Sequence, residues 1–203
     1  AGIGGWVLPF LARLGEDVPP VDLSVAGVRS LSVDLHKYAF AAKGASVILH
    51  RNAELRRHQL YACADWSGYT IINPTVQSTK SGGPLAAAWA VLNFFGDAGY
   101  LEIARQVLDA TRRIAAGVNA IPGLYVLGEP EMNLLAFASH DVDVFHLVDE
   151  MRVRGWFIQA QLSRGASPAN IHLSVNPASV KHVDALLADL RDCTERLRAQ
   201  ALP

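Results

Sequence analysis

One lysine stands out by its surroundings. Lys37 follows an apolar run in Ser32-Val33-Asp34-Leu35-His36-Lys37-Tyr38, where few other charges occur. A partly desolvated amine is disfavoured as the ammonium ion, which frees it for Schiff-base chemistry. The plain alternative is a lysine that snorkels to the surface at a strand end. A second cluster, Ser78-Thr79-Lys80-Ser81-Gly82-Gly83-Pro84, places hydroxyls, a cation and two glycines ahead of a helix whose first residue is proline. Free N–H groups at the positive end of that helix, with Thr79, Lys80 and Ser81 beside them, would cradle a phosphate. The alternative there is a tight turn that only caps the helix.

Other readings of these residues are poorer. Ser32, Asp34 and His36 share a strand face, yet hydrolase triads draw on different elements and no Gly-x-Ser-x-Gly elbow occurs. Asp34 and His36 have no companion pair at metal-ligand spacing, and neither Cys-x-x-Cys nor His-Glu-x-x-His is present. The glycines do not match Gly-x-x-x-x-Gly-Lys-Ser/Thr, so nucleoside triphosphate hydrolysis is not supported.

The elements that must position Lys37 are short and punctuated by Gly and Pro. Ser30 to His36 and Ala45 to His50 read as buried strands flanking the lysine connection. Asn52 to Leu60 reads as a short helix capped by Asn52. Cys63 to Gly83 is aromatic, small and polar without a clean period, as a functional or partner-packed stretch would be. Leu85 to Phe95 is apolar on every side, which predicts a buried helix. Gly96 to Gly99 should break it, and Leu101, Ala104, Val107, Leu108, Thr111, Ile114, Ala115 and Val118 then form one stripe of a long helix. After Pro122 the order is β-β-α-β-β-α, with strands at 123–128, 133–139, 156–161 and 171–176. This is an α+β unit with helices on one face of an antiparallel sheet.

Composition narrows the function classes. Among 203 residues, 51% are apolar, enough for a sizeable core, and 18 Lys and Arg balance 19 Asp and Glu. Without a cationic excess, a nucleic-acid-tracking surface is not expected. Two cysteines, Cys63 and Cys193, make no multi-bridge framework, so a reducing, cytoplasmic setting is the expectation. No apolar run approaches the roughly 20 residues that span a bilayer, though an upstream anchor stays open. The opening Ala-Gly-Ile-Gly-Gly-Trp reads like the middle of a protein.

Taken together, Ser-x-Asp-x-His-Lys-Tyr and the second Lys-Gly at Lys43-Gly44 resemble the cofactor-lysine segment of the sphingosine-1-phosphate lyases. These belong to the group II pyridoxal-phosphate-dependent decarboxylase superfamily. The likeness extends through Gly4-Gly5-Trp6, Asp65-Trp66-x-Gly68, Asn73-Pro74-Thr75, Gly82-Gly83, Trp89, Phe95-Gly96 and Gly99-Tyr100.

The resemblance implies an α/β fold, the C-terminal part of a fold-type I (aspartate aminotransferase-like) enzyme. Residues 1–100 would end the large-domain sheet and 101–203 would be a linking helix and small α+β domain. It implies pyridoxal 5'-phosphate held by Lys37, with His36, Thr79, Gly82 and Gly83 binding the cofactor and no metal. The partner aspartate of the cofactor ring would lie just before Ala1.

Lys43 would bind a phosphate on the substrate, which favours cleavage of a carbon–carbon bond in a phosphorylated amino alcohol. The alternatives are an amino-acid decarboxylase and a catalytically silent subunit. The resemblance also implies an obligate homodimer, or assembly with an N-terminal segment of the same enzyme. Phe40 and Ala42 stand where the lyases usually carry tyrosine and proline, and Thr79-Lys80-Ser81 where Ser-Arg-Pro is usual.

Overall fold

A computed structural model of the chain describes residues 2–77 and 79–201; Ser78 and Ala1 lie outside the described residues. Two compact units result, Ala1–Leu101 and Glu102–Pro203.

In the first unit, α1 (Gly4–Arg13) precedes β1 (Ser30–Asp34), β2 (Ser46–His50), α2 (Ala53–Arg57), β3 (Tyr61–Cys63) and β4 (Ile71–Asn73). The helix α3 (Gly83–Asn119) then begins, and Gly96 interrupts it at φ 56°, ψ −175°. Strands β1 and β2 pair antiparallel, with Asp34 opposite Ser46 and Ser30 opposite His50. The core gathers Val33, Leu35, Ala39, Ala41, Ala45, Ala88 and Tyr100. Around Tyr100 stand the rings of Trp6, Phe10 and Phe95, with centroids 5.0, 5.5 and 5.3 Å away. Aromatic pairs at such spacing add specific geometry to plain area burial.

Three expectations for this unit need correcting. Strand β2 is not buried, because it pairs with β1 alone; Ile48 is 49% exposed and Leu49 47%. Nor is the helix of residues 85–95 enclosed: Leu85, Trp89 and Phe94 stay exposed while Ala88 faces the core. An all-round apolar helix implies cover on every side, and this unit supplies it on one. The stretch after Cys63 is also less irregular than its lack of period suggests. Strands β3 and β4 form a hairpin with Tyr61 opposite Asn73. Helix α2 is shorter than its pattern, and its cap is as expected, with Asn52 Oδ1 accepting from Leu55 N at 2.8 Å.

The second unit follows its sequence pattern closely. β5 (Leu124–Val126), β6 (Leu134–Ser139), α4 (Val144–Val153), β7 (Gln159–Gln161), β8 (Asn170–Ser174), α5 (Pro177–Val180) and α6 (Val183–Ala201) occur in that order. The sheet is antiparallel throughout, ordered β5-β6-β8-β7. Val107, Ile114 and Val118 of α3 pack with Phe137, Leu147, Met151, Ile171 and Leu190. Strand β7 starts later than Trp156 because the Trp156 amide closes the end of α4 on Met151 O at 3.0 Å. Among the described residues, no helix is long and apolar enough to cross a membrane.

Candidate active site

The lysine loop runs from Leu35 to Ala45, between two strands whose register fixes its ends. The His36 amide donates to Ala45 O at 3.1 Å and the Ala41 amide to Leu35 O at 3.0 Å. Leu35, Ala39, Ala41 and Ala45 are buried, so the loop is anchored through its small side chains. From beneath, the Tyr100 hydroxyl donates to Ala39 O at 2.8 Å. Burial pushes that phenol up to about 12, so it remains a donor at neutral pH.

Lys37 projects from this platform. Its side chain is 40% exposed, and Nζ lies 2.5 Å from Oδ2 of Asp34, whose side chain is 22% exposed. The partly desolvated lysine expected from the sequence is therefore an accessible, ion-paired one. Its connection returns to the end of β1, where the carboxylate waits three residues earlier. Asp34 is drawn down to about 2 by the Lys37 ammonium first and by the Ser46 hydroxyl second. Ser46 Oγ donates to Asp34 Oδ1 at 2.6 Å.

His36 turns its Nδ1 to Ala45 O at 2.9 Å. A carbonyl only accepts, so Nδ1 carries the hydrogen and Nε2 is the atom left for other partners. Lys43 is exposed near the loop's far end, and Gly44 follows at φ 96°. A β-carbon at Gly44 would stand 3.4 Å from Pro84 Cγ, which sets the start of α3 against the loop.

The second cluster is open. Thr79, Lys80, Ser81, Gly82 and Gly83 are all exposed. A β-carbon at Gly82 would meet nothing within 4 Å, and one at Gly83 would meet only Ser81 Oγ. The Gly83 amide, expected to be free, donates to Ser81 Oγ at 3.3 Å. The structure thus joins Lys37, His36 and Asp34 into one cluster and brings the α3 turn up to Gly44, without seating Gly82 or Gly83 on Lys37.

Two residues escaped the sequence reading. Ser46 meets Asp34 only through the pairing of β1 with β2, a register that no local pattern in the sequence announces. Gly2 had no signal: a β-carbon there would be 2.7 Å from Asp34 Oδ2 and 2.8 Å from Lys37 Nζ.

No family model matches the chain. Three known proteins are similar to it. A sphingosine-1-phosphate lyase of Arabidopsis thaliana is 41% identical over 201 residues, covering 99% of this chain and 36% of the relative. The solved sphingosine-1-phosphate lyase of Burkholderia pseudomallei superposes with a TM-score of 0.90 at 36% identity, over 98% of this chain and 45% of that one. The glutamate decarboxylase of Lactobacillus brevis shares the fold, with a TM-score of 0.77 at 20% identity over 98% of this chain and 46% of that one. The chain thus spans about a third of the length of its curated relative and under half of the solved chains.

The fold is that of a segment of the pyridoxal-phosphate-dependent decarboxylases and lyases. Within that class, the chain is a homologue of the sphingosine-1-phosphate lyases over nearly its whole length.

Proposed function

We propose that this chain is the lysine-bearing part of a pyridoxal-phosphate-dependent lyase. Its substrate would be a phosphorylated amino alcohol of the sphingosine-1-phosphate type, cleaved to an aldehyde and phosphoethanolamine. The observation that carries the reading is the Lys37 amine, exposed yet fixed 2.5 Å from Asp34 on a loop pinned at both ends. A phosphorylated aldehyde needs two things of a protein: an accessible amine at a set place, and donors for an anion. Lys37 answers the first need, and the exposed residues at the start of α3 would answer the second.

Lys37 Nζ would hold the aldehyde. His36 would present Nε2 to the cofactor; because Nδ1 already donates to Ala45 O, an anion at Nε2 is met only by a ring carrying hydrogens on both nitrogens. Thr79 and Gly82, at the start of α3, would offer a hydroxyl and a backbone amide to the phosphate, and Gly83 would join them by giving up its bond to Ser81 Oγ. When bound, the cofactor supplies an electron-withdrawing ring that accepts the pair left by the bond broken at the amine-bearing carbon. Lys43, an exposed cation on the same loop as Lys37, would bind the substrate's own phosphate. An amino-acid decarboxylase has no such group to bind, so Lys43 favours the lyase.

A second copy of the chain, or an N-terminal segment of the same enzyme, would complete the assembly. Tyr69 at 68% exposure, Ile72 at 70% and Trp89 at 69% are the side chains such a partner would cover in the first unit.

Reduction with borohydride after incubation with pyridoxal phosphate should place one phosphopyridoxyl group on the peptide containing Lys37. A label on Lys43 with Lys37 untouched would refute the assignment. With the loaded enzyme, aldehyde release from a phosphorylated amino alcohol supports the lyase, whereas carbon dioxide from an amino acid instead would establish the decarboxylase.

A further inference from the structure

Two polar side chains beside Lys37 have been given no role toward substrate or cofactor. Asp34 ends β1, Ser46 opens β2, and the antiparallel register sets them opposite each other. The Ser46 hydroxyl spends its single hydrogen on Asp34 Oδ1 at 2.6 Å. The other carboxylate oxygen receives Lys37 Nζ at 2.5 Å. Oxygen Oγ of Ser46 also lies 3.4 Å from His36 Nδ1, so one hydroxyl touches both partners of the His36-Lys37 pair's support. The backbone closes over the contact: the Asp34 amide donates to Gly2 O at 3.2 Å, and any side chain at residue 2 would collide with the carboxylate and the amine.

We propose that Asp34, braced by Ser46, is the positioning residue of Lys37, fixing Nζ at the end of β1 and withholding it from indiscriminate reaction. The physical reason is simple. An ammonium engaged by a carboxylate has no lone pair to offer, and a carboxylate held by a cross-strand hydroxyl cannot follow the lysine if it swings away. Asp34 itself is held down to about 2 and is therefore a carboxylate at any working pH. The proposal rests on Lys37 as the attachment point, so its test has one arm that needs no cofactor.

In that arm, the chain is trace-labelled with acetic anhydride at neutral pH, and modification of Lys37 is measured against Lys181, an exposed lysine of the other unit. Asp34→Asn keeps the shape and removes the charge; it should raise the Lys37 to Lys181 ratio about two- to five-fold, the scale of a half-exposed ion pair. Ser46→Ala should raise it in the same direction, and Ser46→Thr, which keeps the hydroxyl, should restore the original ratio. A role in folding alone would not move this ratio while circular dichroism stays unchanged.

In the second arm, phosphopyridoxyl label is mapped across Lys37, Lys43, Lys80 and Lys181, the four lysines of the chain. Asp34→Asn should raise the share of label on Lys37, because the amine it frees is as open to an aldehyde as to the anhydride. An unchanged acetylation ratio in folded Asp34→Asn and in Ser46→Ala overturns the proposal. Should Asp34→Asn fail to fold, the Ala and Thr variants of Ser46 decide it alone. If pyridoxal phosphate avoids Lys37 in the unaltered chain, the functional reading falls, and the acetylation ratio still judges Asp34.

Discussion

Replacing Tyr100 with Phe removes one atom from the support of the lysine loop. That atom donates to Ala39 O at 2.8 Å; Ala39 is wholly buried and Tyr100 is 4% exposed. Water cannot reach the carbonyl in the variant, so the loss is that of a buried acceptor left unpaired, about 1–3 kcal/mol. The ring stays, and with it the contacts to Trp6, Phe10 and Phe95, so no cavity beyond one oxygen adds to this. In urea, with a slope of about 2 kcal/mol per molar, the midpoint should fall by roughly 0.5–1.5 M. Tryptophan fluorescence is the natural probe, because Trp6, Trp66 and Trp89 all lie in the first unit and only Trp156 in the second. Ala39 is two residues past Lys37, so the same variant should also lose selectivity of phosphopyridoxyl labelling at Lys37. A midpoint within about 0.2 M of the unaltered chain would refute the view that this hydrogen bond holds the loop.

Two further outcomes follow from the geometry. Asp34 is depressed to about 2 from an ordinary carboxyl value near 4. Its ion pair therefore contributes stability that is fully present above about pH 4 and is lost as pH falls towards 2. Thermal unfolding followed across that window should show a shallower acid limb in Asp34→Asn, and an identical limb would contradict the pairing. Gly123 sits at φ 90°, where a β-carbon would crowd the carboxylate of Asp141, with Cγ at 3.0 Å. Gly123→Ala should then cost about 1–3 kcal/mol through left-handed strain and displacement of Asp141 from Arg198, read as a Tm several degrees lower; an unchanged Tm would show that the turn relaxes freely.

What could be read from the sequence was what depends on neighbours along the chain. The His36-Lys37 pair, the Asn52 cap and the 3.6-residue stripe of α3 are local patterns, and the second unit repeats them cleanly through α4 and α6. The Asp34–Lys37 ion pair is also close in sequence, yet its meaning hinges on Ser46, twelve residues away across the β1–β2 register. Alternating residues announce a strand face without saying which residue faces which. The hairpin of β3 and β4 escaped because each strand has three residues, too few to show a period of two. For residues 85–95, apolar composition could not tell a helix covered on all sides from one with its outer face bare.

The residue in this loop with the least comfortable backbone is Phe40, at φ 58°, a left-handed value that a bulky side chain adopts at a cost of about 1–3 kcal/mol. Such strain persists only where the surroundings leave no alternative. Here the Phe40 amide is tied to Lys37 O at 3.2 Å, the next amide to Leu35 O, and the preceding carbonyl to Tyr100. Its ring meets Tyr38 and Phe95 at 6.1 and 6.0 Å. With hydrogen bonds on both sides of it, residue 40 takes up the left-handed φ within a tightly tied turn. Glycine there would relieve the strain, yet it would also remove the aromatic contacts that press the loop onto Phe95. The position of the Lys37 amine is thus set by redundant restraints from two strands, one helix and a strained turn, which is how an accessible side chain can still be held at one place.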